Sequence, residues 1–109
     1  EKALRSEAIQ QATLFATEVP LETMKASFEV FAVCRKMVET GNPNSVSDAG
    51  VGALAARAAV LGAGMNVKIN AGSLKDREKA EALIGEANEL IAKANSEEAE
   101  ITKLVEEKL

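Results

Sequence analysis

At 109 residues the chain has room for one domain, which buries only about two-thirds of its extended-chain surface. A hydrophobic content of 47% excludes a disordered polymer, and with aromatics at 3%, all phenylalanine, the core must be aliphatic and alanine-rich, which suits packed helices better than a sheet. The formal net charge of −4 argues against nucleic acid as a partner, because phosphate binding needs a basic surface.

The sequence contains no histidine, tryptophan or tyrosine. Proton transfer near neutrality therefore falls to a carboxylate, a lysine with a lowered pKa, or water. The single cysteine, Cys34, excludes an intrachain disulfide and, without histidine, an ordinary zinc site, so no metal is expected. A reducing compartment follows by default. No run of 18 apolar residues and no signal-peptide pattern occurs, so the expectation is a soluble, cytoplasmic chain with no membrane partner. The first residue is Glu1 rather than methionine, which points to a processed start or a piece of something longer.

Residues 2–18 have helical spacing, with Leu4, Ala8, Ala12, Phe15 and Ala16 on one face. Pro20 punctuates the pattern, and proline is favoured in a first turn, so a second helix is predicted over 20–40. Its buried stripe is Leu21, Met24, Phe28, Phe31 and Met37, with Cys34 as a small buried hydrophobe and Gly41 as a left-handed cap.

A third helix is predicted over 46–71. Ser45 followed by Asp48 is a capping-box pattern. Gly50, Gly52, Gly62 and Gly64 lie inside this helix, where each costs about 1 kcal/mol relative to alanine. Close approach of a neighbouring backbone or a ligand would compensate. At 100° per residue, Asp48, Gly52, Ala55, Ala59, Gly62, Asn66 and Asn70 fall on one small-residue face with polar ends. That face reads either as tight helix–helix packing or as the floor of a groove. Residues 41–72 carry Asp48, Arg57 and Lys68, a net +1, so this is the stretch that does not repel an anion.

A last helix is predicted over 74–108, with Ser73 and Asp76 as a second capping box. Leu83, Ala87, Leu90, Ala94, Ile101 and Leu104 form a seam that Glu97 interrupts, and Asn95–Ser96 is a candidate bend. Such a seam needs a partner helix, either within the chain or in a second copy. The fold expected is an all-α antiparallel bundle of four main helices in one domain, residues 1–109. The run Gly50-Val51-Gly52-Ala53-Leu54-Ala55 matches a relaxed dinucleotide fingerprint, but no apolar strand precedes it, so it is set aside.

The run NSVSDAGVGALAARAAVLGAGMNVKIN, residues 44–70, resembles the signature region of the formiminotetrahydrofolate cyclodeaminase and methenyltetrahydrofolate cyclohydrolase family. Upstream, ATEVPLETM at residues 16–24 is similar to the helix junction that precedes it there. The resemblance implies an all-helical bundle that pairs as a homo-oligomer, a dimer, with one-carbon derivatives of tetrahydrofolate as substrates and no separate cofactor. Members carry a glycine-rich PGGGS-like segment and further helices before this region. The chain therefore reads as the C-terminal part of such a domain.

The resemblance implies cyclodeaminase chemistry first, in which N10 of the folate attacks the formimino carbon on N5 and ammonia leaves. Cyclohydrolase chemistry, in which water opens the methenyl bridge to the 10-formyl product, is the alternative on the same carbon. Both pass through a tetrahedral carbon between two nitrogens and need a proton acceptor and a donor. Asp48 is the candidate for proton transfer. Asn44, Ser45, Ser47, Asn66 and Asn70 are candidate substrate contacts, and Lys68 a contact for the anionic tail. The competing reading is a non-catalytic helical dimerisation module.

Overall fold

Four helical segments follow one another in the computed structural model, which describes residues 1–41 and 43–109: α1 (Lys2–Phe28), α2 (Val30–Thr40), α3 (Pro43–Ala71) and α4 (Arg77–Lys108). No strand occurs among the described residues. Only Glu29 separates α1 from α2; its backbone is still helical, at φ −62° and ψ −21°. The two therefore make one long arm. α3 runs back along it, and α4 returns in the direction of the first arm. The result is an all-α bundle, 64 Å long and 17 by 15 Å across.

The first junction lies at Glu29 rather than at Pro20, which sits inside α1. Proline in a helix interior removes the bond to the carbonyl four residues back, here that of Ala16. A residue far along the chain repairs the loss: the Asn70 side-chain amide donates to the Ala16 carbonyl at 2.9 Å.

Gly41 ends α2 with φ −74° and ψ 160°, an extended rather than a left-handed cap. A Cβ there would lie 2.2 Å from the Met37 carbonyl oxygen, so steric room rather than backbone handedness selects glycine. α3 starts at Pro43, where a missing N–H costs nothing, and Ser45 falls within its first turn. α4 starts three residues later than its expected box. Asp76 is itself the N-cap and accepts from the Lys79 backbone N–H at 3.0 Å. The Arg77 guanidinium donates to the Leu74 carbonyl at 3.1 Å, closing the turn between α3 and α4.

Phe31, Met24, Ile101, Val38, Val60 and Val67 are fully buried, separated by alanines such as Ala53, Ala87 and Ala94. Three of the four α3 glycines serve close approach. A Cβ on Gly64 would meet Ile91 at 2.9 Å and Met24 at 3.1 Å, one on Gly52 would meet the Cys34 sulfur at 2.9 Å, and one on Gly50 would meet Val105 at 3.3 Å. Gly62 faces open space.

The seam of α4 is satisfied within the chain: Leu83, Ala87, Ala94 and Ile101 are all buried. Glu97 does not break α4, because it pairs with Arg35 on α2, while Asn95 accepts from Arg57 on α3 at 2.7 Å. At the other end, Lys75 donates from its backbone to Gln10 at 2.8 Å and from its ammonium to Ser6 at 3.0 Å. These bonds tie the first turns of α1 to the α3–α4 turn.

α3 is long and apolar enough to cross a membrane by length and composition. Its inner face instead packs on the other three helices, through Val46, Ala53, Val60, Ala63 and Val67.

Candidate functional site

α3 is one continuous helix, so its two polar ends are fixed far apart. Asp48 and Asn66 are separated by about 27 Å at 1.5 Å per residue. Asn44, Ser47 and Asp48 are exposed in the first two turns, and Ser45 is half-buried beside Gly41. At the far end Asn66 is exposed and Asn70 half-buried. Lys68 is exposed and projects from the opposite flank to Asn66, since two residues along a helix turn by about 200°. Within one chain, then, Asn66 and Asn70 come together, and neither Asp48 nor Lys68 joins them.

The asparagine pair opens onto a cleft of about 340 Å³ between α1 and α3, lined by Ala16, Val19, Pro20 and Thr23 from one side and Ala63, Asn66 and Asn70 from the other. Pro20 explains the recess: its ring adds apolar wall, and its missing N–H draws the Asn70 amide across to α1. The two stretches that form this cleft, around residues 16–24 and 63–70, are segments that are far apart in sequence and adjacent in the fold.

Val19 and Thr23 also wall a larger cleft of about 740 Å³ between α1 and α4. Its floor is apolar, with the buried Leu21 and Leu83, and its rim carries the exposed Phe15 with Lys79 and Lys25 among Glu18, Glu22 and Glu86. Lys25 sits 3.4 Å from Glu86 and 3.6 Å from Glu22. The hydrogen bond and the charge of Glu86 hold its ammonium above the ordinary lysine range. Lys25 is thus a fixed cation, not a proton shuttle. Spacing rules could not have found Glu86 or Lys79, because the cleft exists only once α4 lies against α1. The segment 16–24 was the available signal.

A family model described as formiminotransferase-cyclodeaminase matches residues 1–89. The chain is 39% identical over all 109 residues to a methenyltetrahydrofolate cyclohydrolase from Methylorubrum extorquens, of which the match covers 52%. It is 38% identical over 90 residues, 83% of the chain, to a formimidoyltransferase-cyclodeaminase from Dictyostelium discoideum, of which it covers 17%. The chain thus spans about half the length of the first of these relatives.

Proposed function

Because the chain belongs to the formiminotransferase-cyclodeaminase family, we propose that it acts on the one-carbon bridge between N5 and N10 of tetrahydrofolate. The observation that carries this reading is the α1–α3 cleft. The two segments that resemble the folate family, 16–24 and 44–70, both contribute to its walls.

In the hydrolytic direction, water adds to the methenyl carbon and gives one proton to an acceptor; the carbon–N5 bond then breaks as N5 takes up the proton of the new hydroxyl, which leaves a formyl group on N10 and one proton released. Asn66 offers amide donor and acceptor groups at the cleft mouth for the pterin edge. Asn70 presents what its bond to Ala16 leaves over. The anionic glutamate tail extends past Val19 and Thr23 toward Lys79, on the same side as the cleft, while Lys68 points away. Asp48 is the proton acceptor, delivered by a second copy, so that the working unit is a homodimer. The substrate is the only folate required, and the compartment is the cytoplasm, where Cys34 stays reduced.

The cyclohydrolase reaction is favoured by the match of all 109 residues of this chain to 52% of a protein of that name. Cyclodeaminase chemistry on the same carbon is the second reading, supported by the family model. The test is to supply the chain with 5,10-methenyltetrahydrofolate and with 5-formiminotetrahydrofolate, following loss of the methenyl chromophore and release of ammonia separately. Asp48→Asn should lower turnover by about 10²-fold or more with an unchanged melting temperature. Unchanged turnover with a lowered melting temperature would leave Asp48 a helix-end residue only.

A further inference from the structure

Among the described residues, no charged side chain lines the α1–α3 cleft, and its polar side chains are Thr23, Asn66 and Asn70. An anion would find no cation there. Recognition inside this recess therefore falls to neutral hydrogen bonds, and their direction decides what fits.

That direction is set for two of the three groups. A main-chain carbonyl only accepts, so the atom that Asn70 turns to Ala16, at 2.9 Å, has to be its amide nitrogen. The two ends of the amide cannot be exchanged without breaking this bond. Oδ1 is thereby held at the other end of the group, and it takes no hydrogen bond from any described residue. Thr23 donates its single hydroxyl proton to the Val19 carbonyl at 3.3 Å, which leaves oxygen lone pairs outward. Both oriented side chains present acceptors. Asn66 makes no bond among the described residues and turns either end inward.

Pro20 fixes this polarity. It lines the same cleft and is half-buried, and it lacks the N–H that would otherwise occupy the Ala16 carbonyl. With any other residue at position 20 that carbonyl would be satisfied within α1. The Asn70 amide would then have no bond to choose its orientation.

We infer that Asn70 Oδ1 accepts from the 2-amino group of the substrate's pterin ring, and that Pro20 is a positioning residue that fixes this acceptor by leaving the Ala16 carbonyl to the Asn70 nitrogen. The assignment rests on the folate reading above. There the tail leaves over Val19 and Thr23 on the α1 wall, so the ring edge opposite the tail faces the α3 wall, where Asn70 stands. In a pterin that edge carries the 2-amino group and the adjoining ring N–H, both donors. An amide turned the other way would set donor against donor in a recess walled by Ala16, Val19 and Ala63.

The experiment is NMR titration of the chain with 6-methyltetrahydropterin and with the same ring doubly methylated on its 2-amino nitrogen, read beside thermal melts. Wild type should prefer the unblocked ring by about tenfold, the size of one hydrogen bond, and the Asn70 side-chain amide signal should shift on binding. Asn70→Ala should bring the preference to within about twofold. Pro20→Ala should do the same while the melting temperature stays level or rises, because the backbone regains an N–H at position 20. A residue that served stability alone would not lose selectivity as the fold strengthens. A preference that survives in either variant would come from the bulk of the methyl groups and would overturn the proposal. Equal binding of the two rings to wild type would overturn it too. So would p-aminobenzoylglutamate, the anionic half of a folate, shifting the Asn70 signal while the tetrahydropterin does not. Turnover of either folate without the preference would keep the folate reading and reject this role for Asn70. The preference in a chain that turns over neither folate would keep the role and reject the folate chemistry.

Discussion

The Asn70 side chain donates at 2.9 Å to the Ala16 carbonyl, the acceptor that Pro20 leaves without its helical N–H. One contact thus explains how a proline is tolerated within α1 and why a recess forms between α1 and α3. Asn70→Ala should cost about 1 kcal/mol, the usual net worth of such a bond. In a Pro20→Ala background the Ala16 carbonyl regains a backbone donor, and the same substitution should cost clearly less. A double-mutant cycle by denaturant unfolding measures the difference, expected at about 0.5–1 kcal/mol.

Arg35 is held by two carboxylates of unequal standing. Glu97 hydrogen-bonds it directly and raises its pKa, while Glu100 stands 3.5 Å away and is 62% exposed. Glu97→Gln should therefore lower stability by about 1 kcal/mol, and Glu100→Gln by less than about 0.5 kcal/mol. Thermal melts in low and high salt separate them, because the more exposed pair is screened more strongly.

Burial pushes the Cys34 thiol above its ordinary value of 9.0. The folded chain holds this proton more tightly than the unfolded chain does. The associated stability is fully present below about pH 9 and is lost as pH rises through the folded pKa. Wild type should lose more stability than Cys34→Ala between pH 8 and pH 10 (about that interval is where the two states differ). Urea titrations at each pH provide the check.

Gly52→Ala should be destabilising by about 1–3 kcal/mol, because its Cβ would sit 2.9 Å from the Cys34 sulfur. Adding Cys34→Ala removes the obstructing atom and should recover most of that loss. Calorimetric melting of the two single variants and the double variant decides it.

Asp76→Ala should cost about 1 kcal/mol through loss of the bond from the Lys79 N–H. Ser73→Ala should be close to neutral, since Ser73 lies within the α3–α4 turn and Asp76 rather than Ser73 is the N-cap of α4. Comparing the two by thermal denaturation distinguishes the observed cap from the one three residues upstream.

Helical spacing made most of the bundle legible, because Leu21, Met24 and Phe31, and Leu83, Ala87, Ala94 and Ile101, follow one another at three, four or seven residues and are all buried. Pro20 was misleading for a physical reason: the rule that proline ends a helix is local, while the donor that relieves it is 50 residues away. α3 is apolar on both faces, with Val46, Val60 and Val67 inside and Val51, Met65 and Ile69 outside. Periodicity gives the spacing of such faces but not which one the other helices cover. The same ambiguity made the α4 seam a candidate for a partner that α1 and α3 already supply. At the site, Asn66 and Asn70 were visible as polar interruptions in a small-residue face. Lys79 and Glu86 were not, since only the docking of α4 brings them beside α1.

The first half of α1 contributes no buried residue before Thr17 and is tied down chiefly by Gln10, Ser6 and Lys75 at the α3–α4 turn. Pro20 adds a gap in the backbone ladder just beyond. Amide hydrogens upstream of Thr17 should therefore exchange with solvent through a partial opening that spares the rest of the bundle, while those around Met24 wait for complete unfolding. Since Val19 and Pro20 sit at that boundary, each opening would also unmake one wall of the α1–α3 cleft. A molecule seated in the cleft would then slow exchange across residues it never touches.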